Sequence, residues 1–212
     1  MRKGLALPLL LVVAGLGVLA ALYFSMRPVP PAPAPAPVAG STSEDAAGPY
    51  LDIEIAGEAS GTITIDLFAQ AAPRHAEQLL SLARDGAYDN VVFHRVIEGF
   101  MAQTGDVQFG RFGEDLRRAG TGGSERPDLV AEFSDIGFER GVVGMARAQS
   151  PNSANSQFFI MFAPAPHLDG SYTAIGRVVE GMEVVDAIKR GDGPNGAVFG
   201  EPDRMVRVTV RD

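Results

Sequence analysis

Three segments, Tyr50-Leu-Asp-Ile-Glu-Ile55, Gly61-Thr-Ile-Thr-Ile-Asp-Leu67 and Met205-Val-Arg-Val-Thr-Val210, alternate apolar and polar residues. A period of two is the mark of half-buried β-strands, whose successive side chains point to opposite faces. The turn residues between Gly57 and Gly61 make the first two segments a hairpin. Shorter strand candidates follow at 91–97, 100–103, 129–133, 142–147, 157–162 and 173–179. Only two stretches read as helices. Pro73 opens the first at a first-turn position, Leu79, Leu80 and Ala83 make its apolar face, and Gly86 closes it. The second runs from Glu183 to Lys189, with Val184, Val185 and Ile188 on one face and Gly191 beyond its end. Residues 105–128, rich in glycine and charge, read as a long surface loop. Many short strands with two helices, never in regular βαβα order, predict a mainly β fold: a closed antiparallel sheet capped by helices.

The start of the chain has a different character. Met1-Arg2-Lys3 precedes an uncharged apolar run whose core, Leu5 to Phe24, is long enough as a helix to span ~30 Å of hydrocarbon. Cleavable signals usually carry a shorter apolar stretch of ~7–15 residues. An uncleaved signal-anchor is therefore favoured over a cleaved signal, with Val38-Ala39-Gly40 as the candidate cleavage site. Arg2 and Lys3 before the run leave the N-terminus cytoplasmic by the positive-inside rule. The rest then lies on the periplasmic face of the inner membrane, or free in the periplasm if the signal is cut. Six of the ten residues from Pro28 to Pro37 are proline, which predicts an extended spacer. The organisation expected is a signal-anchor or signal peptide at 1–26, a Pro/Ala-rich linker at 27–48, and a functional domain at 49–212.

Composition removes several chemistries. With no cysteine there is no disulfide framework, thiolate zinc site or thiol nucleophile. His75, His94 and His167 lack the spacing that sets two zinc ligands on one helical face. Of these, His94 reads as structural and His75 as an exposed helix residue. A net charge of −8 disfavours a nucleic-acid partner. Gly191-Asp-Gly-Pro-Asn-Gly196 matches GxGxxG, but it follows a helix, contains Pro194 and opens no helix, so it reads as a turn and not a dinucleotide site.

Chemistry gathers in three blocks. In Phe93-His-Arg-Val-Ile-Glu-Gly-Phe-Met-Ala-Gln-Thr-Gly-Asp106, a cation (Arg95), an aromatic (Phe100), a thioether (Met101) and an amide (Gln103) fall within nine residues around a bend at Gly99. The second block is Gly144-Met-Ala-Arg-Ala-Gln-Ser-Pro-Asn-Ser-Ala-Asn-Ser-Gln-Phe-Phe-Ile160, and the third His167-Leu-Asp-Gly-Ser-Tyr-Thr-Ala-Ile-Gly176.

In order and spacing these blocks resemble the cyclophilin family of peptidyl-prolyl isomerases, over essentially all of 50–211. The resemblance implies a closed eight-stranded antiparallel barrel with two capping helices and no metal or organic cofactor. It implies that Arg95 is catalytic and that Phe100, Met101, Phe159 and Leu168 wall a proline pocket. Gln103 and Gln157 are implied to hold the substrate backbone, Ala146 and Arg147 to form the groove edge through main-chain groups, and Tyr172 to stand at the rim. Ile97 and His167 complete the implied substrate-binding set, with His167 standing where many members have tryptophan. The expected partners are proline-containing polypeptides, with the membrane engaged by the N-terminal helix. The expected activity is rotation about X-Pro bonds, assisting the folding of envelope proteins. The alternative is a non-catalytic proline-peptide chaperone or scaffold module.

The chemistry fits these residue types. Amide resonance sets a barrier of ~18–20 kcal/mol to X-Pro rotation. In the twisted transition state the prolyl nitrogen recovers its lone pair, and a hydrogen bond to it exists only then. Arginine stays charged and carries a planar fork of donors. No nucleophile or general base is required.

Overall fold

The computed structural model describes residues 48–211. The apolar run at 1–26 and the linker, apart from its last residue, lie outside the described residues. Among the described residues no helix is long and apolar enough to cross a membrane.

Among the described residues nine strands form one antiparallel sheet. They are β1 (Tyr50–Ala56), β2 (Gly61–Leu67), β3 (Val91–Val92), β4 (Arg95–Ile97), β5 (Met101–Thr104), β6 (Val142–Met145), β7 (Phe158–Met161), β8 (Ala174–Glu180) and β9 (Arg204–Arg211). Their order across the sheet is β3-β9-β1-β2-β8-β6-β7-β5-β4. The described residues also form two helices, α1 (Pro73–Arg84) and α2 (Met182–Ala187), and short 3₁₀ turns at Leu116–Arg118, Pro166–Leu168 and Pro194–Gly196.

This corrects the expected closed eight-stranded barrel. The ladder is an open, curled half-barrel, and the extra strand comes from a split. The single strand expected at 91–97 breaks at Phe93-His94, so that β3 pairs with β9 and β4 with β5 at opposite ends of the sheet. The two sheet edges are thus held close by the chain itself. Phe93 N–H donates to Asp203 O and Val198 N–H to His94 O, which anchors the break on the segment leading into β9.

The alternating segments behave as their pattern dictates at β1 and β2, where Leu51, Ile53, Ile55, Ile63, Ile65 and Leu67 are buried. β9 differs. The register shifts between Glu54 and Ile55, leaving Val206 as the extra residue of a bulge. Met205 and Val208 are therefore both buried while Val206 is half-exposed, although Val206, Val208 and Val210 alternate with polar residues in the sequence.

α1 spans the predicted stretch and buries Ala76, Leu79, Leu80, Leu82 and Ala83 against the sheet. His75, expected to be exposed, is fully buried, and its Nδ1 lies 2.6 Å from Glu132 Oε2. The reason is the helix end. Ala72 at the N-cap has no side-chain hydrogen bond, and the Glu132 carboxylate instead accepts the amides of Arg74 and His75. A carboxylate there satisfies free N–H groups and complements the positive end of the helix dipole. That engagement also explains why the strand expected at 129–133 does not form. Its ladder is a single bridge, Leu129 to Ala154, and Ala131 N–H goes to the Asn152 side chain.

Candidate active site

The register of four strands lays out the site. Arg95 on β4 lies opposite Gln103 on β5, Gln103 opposite Phe159 on β7, and Phe159 opposite Gly144 on β6. One row across the sheet therefore presents a cation, an amide and an aromatic ring on the same face. Alternation adds Ile97 and Met101, also paired, while Val96 and Ala102 face the core and are fully buried. Two glycines make the row possible. Gly99 takes φ +67 at the bend between β4 and β5, a region that favours glycine. At Gly144 a Cβ would stand 2.5 Å from both the Phe138 and Phe159 rings, so no larger residue leaves room for Phe159.

Beside this row is a cavity of about 180 Å³ lined by Arg95, Phe100, Met101, Gln103, Ala146, Arg147, Phe159, Leu168 and Tyr172. A small apolar cluster of Met101, Phe138, Phe159 and Leu168 backs it, with Phe100 and Tyr172 packed against that cluster. Three of the expected residues stand apart from this lining. Ile97 packs against the cluster without facing the cavity. His167 stacks on Phe100, with ring centroids 5.8 Å apart. Gln157 lines an adjoining cavity of about 430 Å³ together with Gln103, Ala146 and Arg147.

The polar side is a chain of hydrogen bonds running one way. The Arg95 guanidinium donates to Gln103 Oε1 at 3.1 Å, Gln103 Nε2 to Gln157 Oε1 at 2.9 Å, and Gln157 Nε2 to Gly122 O at 2.8 Å. The cation fixes the direction, because a guanidinium only donates and so turns each amide oxygen toward it. On its other flank Arg95 donates from Nε to Asn195 O and from Nη2 to Asn195 Oδ1, each at 3.0 Å. Partial burial pulls the Arg95 pKa below its ordinary value. Ala146, expected on the groove edge, spends its amide on Gln157 O. Arg147 also uses its side chain, which lies over the Tyr172 ring and donates to Ser171 O.

Sequence reading assigned no role to two supports of this chain, Asp106 and Asn195. Asp106 is fully buried, and its carboxylate accepts the amides of Gln108, Phe109, Gly120 and Gly122. The long 105–128 loop is thus gathered on one carboxylate, and Gly122 is brought to where its carbonyl receives Gln157. The density of glycine in that loop was the available signal, since several amides can converge on one group only where side chains are absent.

His94, which the sequence reads as structural, is buried. It lies under Gly120, and its ring nitrogens have no hydrogen-bond partner among the described residues. Burial pushes its pKa down to about 4, against the opposing pull of Asp106. Between roughly pH 6.5 and 4 the unfolded chain binds a proton at His94 that the native state refuses, so this part of the stability is present above pH 6.5 and lost on acidification. The loss expected at pH 4 is about 3 kcal/mol, the pKa difference converted to free energy. Urea unfolding of wild type and His94→Gln across this range checks it, and parallel pH profiles in the two proteins would refute it.

Comparison with known proteins bears on the whole domain. Residues 50–210 match the family model of cyclophilin type peptidyl-prolyl cis-trans isomerases. A probable peptidyl-prolyl cis-trans isomerase of Brucella suis is 56% identical over 153 residues, covering 71% of this chain and 78% of that protein. An Arabidopsis thaliana peptidyl-prolyl cis-trans isomerase is 40% identical over 126 residues, 59% of this chain and 73% of that protein. Among solved structures, a cyclophilin type isomerase of Cryptosporidium parvum, crystallised in the presence of the dipeptide Ala-Pro, superposes with a TM-score of 0.65 at 25% identity. That match covers 77% of this chain and 99% of the other.

Proposed function

From the premise that this chain belongs to the cyclophilin-type peptidyl-prolyl cis-trans isomerases, we propose that it turns X-Pro bonds at the cavity beside Arg95 and serves proteins folding outside the cytoplasm. The isomerase activity itself follows from the family and its named relatives. The observation that carries the site reading is a guanidinium fixed by Gln103 and Asn195 at the rim of an apolar cavity of about 180 Å³.

In this reading the proline ring enters between Phe100, Met101, Phe159 and Leu168. Their apolar surfaces exclude water, which strengthens any hydrogen bond made at the rim. Gln103 and Gln157 hold the substrate backbone, with Ala146 and Arg147 along the edge and Tyr172 at the mouth. Ile97 and His167 act indirectly, Ile97 by packing on the cluster and the exposed His167 by stacking on Phe100. As the amide twists, the prolyl nitrogen becomes an acceptor and takes a hydrogen bond from Arg95. That bond does not exist in either planar ground state, so it lowers the barrier rather than tightening binding. A dipeptide of the required kind, Ala-Pro, was present with the Cryptosporidium parvum relative, which supports a proline-containing ligand here. Loss of turnover in Arg95→Ala, argued below, tests the assignment.

The location is proposed from sequence: an N-terminal anchor at 1–26, a proline-rich spacer, and the isomerase on the periplasmic face of the inner membrane. Fractionation tests it. Full-length protein should sediment with membranes, and its domain should be cut by protease added to the outer face. Intact domain recovered from the cytoplasm would overturn it.

A further inference from the structure

The Gly191–Gly196 loop, whose sequence reads as a turn, packs beside β4, and we infer that it holds the Arg95 guanidinium through Asn195, which makes Asn195 a positioning residue for isomerisation. The inference rests on the reading of Arg95 as the catalytic cation. The loop is tied to β4 by its backbone: Gly191 N–H donates to Val96 O, Ala197 bridges Arg95, and Val198 N–H donates to His94 O. Within it, Gly193 N–H bonds Ala197 O and Gly196 N–H bonds Gly193 O, which closes a tight turn. Asn195 sits at the tip with φ 56 and ψ 30, the left-handed region, which asparagine tolerates better than most residues.

In that conformation the backbone oxygen and Oδ1 of Asn195 both reach one guanidinium, taking Nε and Nη2. Gln103 Oε1 takes one hydrogen of Nη1. A guanidinium has five N–H donors. One remains on each terminal nitrogen, and Nη1 also makes a long contact to the Met101 sulfur, at 3.8 Å. The arginine is clamped on both flanks while its end stays available to substrate. An unclamped arginine would have to give up its rotamer freedom during the reaction; a clamped one has already done so. The same turn chemistry explains the sequence Pro-Asn-Gly, with Pro194 entering the turn and Gly196 leaving it at φ +77.

A double-mutant cycle tests this. Asn195→Gly keeps the backbone oxygen and the left-handed conformation but removes Oδ1. It should lower kcat about 2- to 12-fold, the ordinary net strength of one hydrogen bond read as a rate. KM should stay within about twofold, because pocket contacts are made in ground state and transition state alike. In an Arg95→Ala background the same substitution should cost nothing further, since Asn195 acts only through the arginine. Thermal unfolding should be unchanged. Wild-type kcat in Asn195→Gly while Arg95→Ala is impaired overturns this inference alone, as does an equal loss in both backgrounds. Wild-type activity in Arg95→Ala overturns the reading of Arg95 and the inference with it.

Discussion

Arg95→Ala is expected to slow isomerisation of an Ala-Pro peptide roughly ten- to 150-fold, the value of one charge-assisted hydrogen bond of about 1.5–3 kcal/mol read as a rate. The fold should survive. Arg95 is half-buried at a strand surface, and its partners Gln103 and Asn195 are accessible to water once it is gone. Peptide affinity should change far less than the rate, because Phe100, Met101, Phe159 and Leu168 are untouched. Arg95→Lys should rescue little. An ammonium lacks the fork that engages Gln103 and Asn195 and still leaves donors for the substrate. Exchange spectroscopy measures binding and interconversion separately. An Ala variant that turns over at the wild-type rate with an unchanged circular dichroism spectrum would move the catalytic role elsewhere and favour a proline-binding module.

Asp106→Asn carries the largest expected cost to stability. The carboxylate accepts the amides of Gln108 and Phe109 on one oxygen and of Gly120 and Gly122 on the other, with no exposure to solvent. Asparagine keeps one acceptor and sets an NH₂ donor against two N–H donors. Each buried donor left unsatisfied costs about 1–3 kcal/mol, so the total should be roughly 2–6 kcal/mol. In a domain of this size that lowers Tm by about 5–20 °C. Activity should fall as well, since Gly122 O is the end of the chain that orients Gln157 and Gln103. A variant that melts within a degree of wild type would show that the loop is held by other contacts. The two substitutions are separable: Arg95→Ala affects rate without stability, and Asp106→Asn affects both.

Most of the site's inner wall was legible because it is local. Arg95, Met101 and Gln103 share a face by strand alternation across a bend at Gly99, and the pairing Arg95 to Gln103 follows from that hairpin. Phe159 was placed with them only by the family resemblance, and its position opposite Gln103 comes from the tertiary pairing of β5 with β7. Residues whose role depends on position in space were not legible in the same way. Ile97 and His167 belong to the implied set but do not line the cavity: Ile97 packs on the small apolar cluster, and the exposed His167 stacks on Phe100. His75 follows Pro73 in a helix and reads as exposed, yet it is buried because Glu132, 57 residues away, comes to the helix end.

The antiparallel β class, the two helices and the hairpin that presents Arg95 could be read from the residues alone, whereas the apolar walls of the cavity were implied only by the family resemblance. The first three are set by side-chain period, turn chemistry and residue type over a few positions, and such local preferences act before any distant contact forms. Only the tertiary structure decided that 91–97 splits between the two edges of the sheet, that Val206 bulges, that 129–133 stays out of the ladder, and that Asn195 clamps Arg95 from 100 residues away. Each of these is a choice of hydrogen-bond partner made between segments distant in the chain. The cost of leaving a buried or charged group unpaired decides that choice, and no window of local sequence contains it.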